Sequence, residues 1–349
     1  MWNIFFDKTG KKARCKLCQR ENEEVSSTLN VCLSCIRKKP DESIEITKDA
    51  HRKIRETFDL PPDPPSSQDG IGCNVCANEC KIGLGEKGYC GLRKNIDGKL
   101  RIREGVLHTY YDPLPTNCCA SWFCGATLGY NLAVFPYACS FNCVFCQNSE
   151  HKNITTPEEV EIGSLVRESE KASCICYFGG TPEPQLPFLL RATEKIVEKN
   201  KRIRICWEWN GTGNPKLVKK AAGFSYDTHG TVKFDLKAFD CNLNIALTGR
   251  PNHRTLDNFR MINEEFKKKD LLTATTLLVP GYIDEEEVEK IARFISSVDR
   301  DIPYSLLAFH PDFKMMDMPV TTRRLAEGCY RVARKYLNRV NIGNKHLLW

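Results

Sequence analysis

No run of about 18 apolar residues occurs in the 349-residue sequence, so no helical membrane span is expected. The opening "MWNIFF" breaks at once into Asp7 and Lys8, too short an apolar run for a signal peptide. A reducing, cytoplasmic setting is the expectation. Charge of one sign is also scarce: a formal excess of +7, spread along the chain, reads first as a solvated surface and only loosely as a site for acidic partners. General disorder is not expected either, because 41% hydrophobic residues are enough for a proper core.

Cysteine is what the chain has in quantity: nineteen residues, most of them before residue 180. In a reducing compartment, metal binding explains such a count better than disulfides do. "CKLC" (Cys15, Cys18) and "CLSC" (Cys32, Cys35) are two knuckles spaced as in a zinc ribbon, and residues 1–40 are read as that domain. So short a segment buries too little to fold without its metal. Residues 41–70 follow as an amphipathic helix, Asp41 to Phe58, and the stiff, Pro-rich linker "DLPPDPPSSQDG". Residues 71–127 form a Cys-rich region. Cys73, Cys76, Cys80 and Cys90 make a further quartet there, among glycines 83, 85, 88 and 91 that permit tight turns. Its metal is open between structural zinc and a second iron–sulfur cluster. Cys118, Cys119 and Cys124 are either further ligands or buried small hydrophobes.

Residues 128–349 change character. Short runs such as "LGYNLAVFP", "CICYFG", "RIRICWEW", "TVKFDLK", "LTATTLLVP" and "PYSLLAF" alternate with amphipathic stretches, for example 185–198, 256–269, 284–297 and 321–336. Alternating strand and helix means βα units on a parallel sheet. Six units fall short of a closed eightfold barrel. The expected fold is therefore α/β, a partial (β/α)6 TIM-like barrel preceded by a small Cys-rich zinc-ribbon domain. A doubly wound open sheet is the alternative.

"YACSFNCVFCQN" directly follows the first of these strands, where α/β folds gather their chemistry. Cys139, Cys143 and Cys146 lack a fourth partner. Three thiolates on a four-iron cube leave one iron open to a ligand. This loop, in its place after the first strand, resembles the radical S-adenosylmethionine (SAM) superfamily over roughly residues 70–349. The resemblance implies that these three cysteines hold a [4Fe–4S] cluster. Its open iron would bind SAM, and one-electron cleavage would yield a 5′-deoxyadenosyl radical that abstracts hydrogen from a substrate. It also implies a reductant such as ferredoxin or flavodoxin.

Later strand ends carry the same resemblance. In "YFGGTPEPQ", Gly179, Gly180 and Thr181 match the turn that meets the amino group of SAM, with Glu183 two residues further on. In "CWEWNG" and "KFDLKAFD", Glu208 and Asp235 take the places of two acidic residues that lie by the SAM carboxylate in pyruvate formate-lyase activating enzymes and share a monovalent cation there. Asn210 and Gly211 match directly, and Lys237 is expected to balance the charge. Glu208 is longer than the aspartate of that branch, and Trp209 replaces a small residue. Asp235 could instead be a helix N-cap. "NHRTL" supplies His253 and Arg254 before a helix, and Thr275 stands where an arginine is usual. His310, in "FHPDFKM", falls where the branch has a histidine near SAM. The segment from Cys73 to Arg93, Phe309 to Met315 and the terminal "IGN" resemble AmmeMemoRadiSam-type proteins. The ribbon and "NCCASWFC" depart from that group.

Cys174, Cys176, Cys206, Cys241 and Cys329 read as core packing. The expected activity is hydrogen abstraction from a protein or peptide docked through the ribbon, as in a glycyl-radical activase. Modification of RNA or a small metabolite, or a non-catalytic iron–sulfur or zinc binding module, are the alternatives. The basic "KKARCKLCQR" offers almost no aromatics for base stacking, so protein is favoured over nucleic acid.

Overall fold

The computed structural model describes residues 11–22, 24–115, 118 and 120–348. Cys119 lies outside the described residues.

In the N-terminal module, β1 (Ala13–Arg14) pairs antiparallel with β2 (Glu21–Asn22), followed by α1 (Leu33–Lys38) and α2 (Pro40–Glu56). Pro40 opens α2, where its missing N–H costs nothing. Asp41 and Glu42 in the first turn and Lys53 and Arg55 in the last suit the helix dipole. Buried Arg55 then pins the linker: its guanidinium donates to Pro61 O and Tyr89 O and lies 3.4 Å from the Tyr89 ring centroid. Two short hairpins follow, β3 (Ile71–Gly72) with β4 (Lys81–Ile82), and β5 (Arg93–Ile96) with β6 (Lys99–Ile102).

The main sheet comprises β7 (Leu107–Pro113), β8 (Tyr130–Pro136), β9 (Cys174–Tyr177), β10 (Arg204–Trp209), β11 (Val232–Asp235), β12 (Leu272–Leu278), β13 (Tyr304–Ala308) and β14 (Val340–Gly343). Its order is β14-β13-β12-β11-β10-β9-β8-β7. Strands β8 to β14 run parallel, and β7 joins antiparallel at the edge. The expected α/β parallel architecture is present. The sheet has two strands more than the six expected, one at each end. β7 comes from the Cys-rich segment and β14 from the C-terminus.

Helices α3 (Ile162–Ser169), α4 (Leu186–Lys199), α5 (Pro215–Asp227), α6 (Cys241–Thr248), α7 (His253–Glu265), α8 (Glu285–Val298) and α9 (Arg323–Arg334) link the strands. Neighbours pack side by side: α3 on α4, α4 on α5, α5 on α7, and α8 on α9. Strand β10 shows how the sequence divides the two faces. Ile205, Trp207 and Trp209 are buried, while Arg204, Cys206 and Glu208 alternate with them. Trp207 stacks on Tyr177 at 4.3 Å and donates its indole N–H to Ala221 O of α5 at 2.9 Å. On the opposite face Cys118 Sγ lies 3.6 Å from Glu208 Oε1 of β10, and Trp122 donates its indole N–H to the Ser305 hydroxyl of β13 at 3.0 Å. Among the described residues no helix is long and apolar enough to cross a membrane.

Candidate active site

The three-cysteine loop leaves β8 at its C-terminal end. Apolar residues alternate with the cysteines and anchor it: Phe141, Val144 and Phe145 are all in the main core. Its backbone is tied to α6 by Asn142 N to Thr248 O (2.7 Å) and Val144 N to Leu247 O (3.1 Å). Ala138 bends the chain into the loop at φ +73°. Beneath it lies a closed polar chain. Lys152 Nζ donates to Asn142 Oδ1 at 3.0 Å, and the Asn142 amide lies 3.0 Å from His51 Nδ1 on α2. Burial holds the His51 pKa down at about 4, so the imidazole stays neutral.

The sulfurs are met by N–H donors. Phe141 N donates to Cys139 Sγ at 3.4 Å and Asn210 Nδ2 at 3.3 Å; His151 Nε2 lies 3.5 Å from Cys146 Sγ. Burial pushes the Cys139 thiol up to about 11 and Cys143 to about 12, against the pull of nearby Lys152 and Lys237. Such thiols exchange their protons for a metal when one is bound. The donor set fits an iron–sulfur cluster: soft, with Cys143 buried and Cys139 and Cys146 half-buried, on one loop, and not gathered as closely as a single ion needs. Among the described residues, Cys15, Cys18, Cys32 and Cys35 are the one group of three or more that brings its ligand atoms within 4.8 Å of one another.

Gly179 and Gly180 end β9. Gly179 has φ +110°, and a Cβ there would lie 2.5 Å from the Phe135 ring; one on Gly180 would lie 2.3 Å from Ala138 O. The turn must therefore be glycine to fit against the cysteine loop itself. Thr181 and Glu183 face inward together. The Thr181 hydroxyl donates to Glu183, which accepts from Thr212 N at 3.0 Å. Thr181 thus ties the turn after β9 to the turn after β10, a structural task beside the ligand contact expected of it.

Glu208, Asp235 and Lys237 meet at the ends of β10 and β11, with one residue the sequence reading missed. Lys233 Nζ lies 2.8 Å from Glu208 Oε2 and 3.4 Å from Asp235 Oδ1. Its ammonium thus bridges the two carboxylates between which the resemblance implies a monovalent cation. Lys237 Nζ lies 2.9 Å from Asp235 Oδ2, and the Thr275 hydroxyl donates to Asp235. Burial opposes the Asp235 charge, yet Lys233 and Lys237, with the Thr275 hydrogen bond, hold its carboxyl well below the usual range. Two carboxylates and two ammoniums make a neutral layer. The strand period of two puts Lys233 and Asp235 on one face, a signal already present in "VKFD". Asp235 is not a helix cap; Asp240 caps α6, accepting from Leu243 N at 2.9 Å. Trp209 turns away into the core against Phe234.

Asn210 reaches Ser140 Oγ (3.4 Å) as well as Cys139. His310 stands just beyond β13, its Nδ1 3.4 Å from Asp312 Oδ2. His253 and Arg254 lie in the first turn of α7, and Arg254 pairs with Glu79 at 2.8 Å. The second quartet is placed beside this site. Cys76 bridges to Gly213, Asn78 Nδ2 donates to Ser140 O at 2.9 Å, and Arg93 Nη1 donates to Cys90 Sγ at 3.7 Å.

The ribbon cysteines behave differently. Cys15 and Cys35 sulfurs are 3.7 Å apart, as are those of Cys18 and Cys32. Tetrahedral zinc with Zn–S of about 2.3 Å requires roughly 3.8 Å between sulfurs, so this quartet fits a zinc ribbon. The ribbon packs on the barrel: Arg37 forks onto Asp284 with two bonds of 2.8 Å, and Ser26 N donates to the Tyr282 hydroxyl at 3.0 Å.

The Radical SAM superfamily model matches residues 134–295. Residues 134–295 form a radical SAM domain. The radical SAM match begins on β8 and runs through the cysteine loop to α8. Pyruvate formate-lyase-activating enzymes of Staphylococcus aureus, from strains USA300 and N315 among others, are 25% identical over 194 residues, 52% of this chain and 75% of theirs. A solved domain of pyruvate-formate lyase-activating enzyme from Bacteroides vulgatus has a TM-score of 0.42 at 19% identity, covering 50% of this chain and 100% of that one. SuiB of Streptococcus suis bound to precursor peptide SuiA gives 0.47 at 18% identity, covering 62% of this chain and 49% of SuiB. The chain carries a radical SAM domain and is homologous to pyruvate formate-lyase-activating enzymes. Radical SAM enzymes use a [4Fe–4S] cluster and SAM.

Proposed function

We propose that the enzyme abstracts a hydrogen atom from a protein or peptide, in the manner of a glycyl-radical activase. The observation that carries this reading is the buried loop of Cys139, Cys143 and Cys146 set against the Gly179–Gly180 turn and the Glu208–Lys233–Asp235–Lys237 layer. In this reading the three cysteines hold a [4Fe–4S] cluster, which with SAM supplies one-electron cleavage and hydrogen abstraction. Phe141, Val144 and Phe145 keep water from the sulfurs. Asn210 and the Phe141 N–H hold charge on Cys139. The neutral carboxylate–ammonium layer accepts the SAM carboxylate without the repulsion that Glu208 and Asp235 alone would exert. Lys233 takes over the charge of the monovalent cation. Zinc fills the ribbon, and its exposed basic residues Lys11, Lys12, Lys16 and Arg20 offer an edge to an acidic substrate segment. A ferredoxin or flavodoxin supplies electrons.

The test is anaerobic. The reconstituted protein, SAM and a strong reductant are incubated with and without a glycyl-radical-type protein, and 5′-deoxyadenosine is measured. The expected result is formation by wild type, stimulation by the protein substrate, and none from Cys143→Ala. A fully loaded wild type that binds SAM and yields no 5′-deoxyadenosine with any substrate sinks the proposal and favours the binding-module reading.

A further inference from the structure

Five cysteines line a cavity on the inner face of the barrel that reaches up to Glu208 of the candidate SAM site. Cys174 and Cys176 on β9 and Cys206 on β10 alternate onto the barrel's inner face, with Cys206 in register with Cys176. Cys118 and Cys124 face them across the cavity. All five line one cavity of about 160 Å³. The sequence reading placed the three strand cysteines in packing; Cys174 and Cys176 are buried and Cys206 is half-buried, and all three border the cavity as well. Two of the five sulfurs accept hydrogen bonds. Arg204 Nη1 donates to Cys124 Sγ at 3.6 Å, and Ala120 N donates to Cys118 Sγ at 3.4 Å. Burial and the neighbouring cysteines push the Cys174 thiol up to about 12 against the pull of Arg204, and burial pushes Cys176 and Cys206 well above the ordinary thiol value. These are protonated thiols that, like Cys139 and Cys143, would exchange their protons for a metal.

Packing alone gives no reason for five thiols on one cavity, nor for a guanidinium aimed at one of them. A single zinc would need a tighter set than any here, since the ribbon quartet is the one group of three or more that closes to within 4.8 Å among the described residues. The Cys139, Cys143 and Cys146 triad shares this wider spacing. Soft thiolates held apart around a cavity suit a polynuclear centre.

We propose that Cys118, Cys124, Cys174, Cys176 and Cys206 supply the ligands of an additional iron–sulfur cluster inside the barrel. It lies towards the N-terminal ends of β9 and β10, beneath the Glu208–Lys233 pair. Cys118 Sγ is 3.6 Å from Glu208 Oε1, which joins the two layers. This site is separate from the Cys73, Cys76, Cys80 and Cys90 quartet.

Iron, acid-labile sulfide and zinc are counted in protein isolated without oxygen and without reconstitution. The first variant replaces Cys139, Cys143, Cys146, Cys73 and Cys76 by Ala. It is expected to retain about two to four irons, with matching sulfide and absorption near 400 nm. Adding Cys174→Ala and Cys206→Ala should remove them while the ribbon zinc stays. The second variant carries Cys174→Ala and Cys206→Ala alone, so it does not depend on the heavily substituted chain folding. It is expected to lose a fixed share of iron and sulfide relative to wild type. Full iron and sulfide in this second variant, or zinc in place of the lost iron, overturns the proposal.

Discussion

Two cysteine sites in this molecule use the same ligand in opposite ways. The ribbon draws four sulfurs into contact, with pairs 3.7 Å apart, on a short module whose Val25, Leu29, Val31 and Ile36 join the barrel's core. The loop after β8 holds three sulfurs apart, on a backbone fastened to α6 and packed into the largest core of the protein. A ribbon is folded by its metal. The barrel loop is shaped by its surroundings before any metal arrives, and this leaves its chemistry free to serve a substrate. The two sites are nevertheless joined, because His51 of α2 supports Asn142 within the loop.

Cys143→Ala breaks the comparison on the catalytic side and should have the largest effect. Cluster iron and 5′-deoxyadenosine formation should fall by at least about 100-fold, while zinc stays near one per chain. Metal analysis of the same sample reads both. Cys15→Ser with Cys35→Ser breaks it on the structural side. Zinc should be lost, and with it several kcal/mol of local stability, seen as an early thermal transition and rapid proteolysis before residue 40. Cluster iron should survive this change, because the loop's anchors lie in the barrel. Equal loss of iron would mean that the ribbon shapes the loop as well.

The sequence exposed the ligands more readily than their supports. Cys-x2-Cys pairs and the Cys-x3-Cys-x2-Cys loop announce themselves because a metal demands fixed spacing. The parallel core was readable from β-branched runs separated by amphipathic helices. Strand β7 was not, since "LHTYYDP" has one buried residue, Leu107, and gives little apolar alternation. β14 has four half-buried residues, of which Val340 and Ile342 pack against the rim of the core. Helix α6 was hidden too, because five of its eight residues are buried and no polar face marks its period. Lys233 was overlooked because a lysine within a strand reads as solvent-facing, whereas an inner barrel face can hold one between two carboxylates. That the inward cysteines of β9 and β10 border a cavity was hidden for a related reason: alternation reveals which residues share a face, and only the fold reveals what that face borders.

Lys233→Ala sharpens the comparison within the barrel. Glu208 and Asp235 would then face the bound carboxylate with Lys237 alone to compensate, and SAM affinity should drop about 10-fold. If Lys233 stands in for a monovalent ion, potassium or sodium should restore part of that affinity in the variant and leave wild type unchanged. Isothermal titration with and without the salts distinguishes the cases, with lithium or a quaternary ammonium as the ionic-strength control.

The smallest effect is on acid stability. The Asp235 carboxyl is held below its ordinary value by Lys233, Lys237 and Thr275, which outweigh burial. Its contribution is therefore complete above about pH 4, the unfolded value, and fades as pH falls through the folded one. Asp235→Asn should cost about 1–3 kcal/mol at neutral pH, since it leaves two ammoniums short of a partner. It should also flatten the stability curve below about pH 4, where wild type is losing the same interaction by protonation. Urea titrations across that range should show the two proteins converging as the acid limit is approached. A difference that stays constant down the acid limb would mean that Asp235 acts through packing and not through its charge.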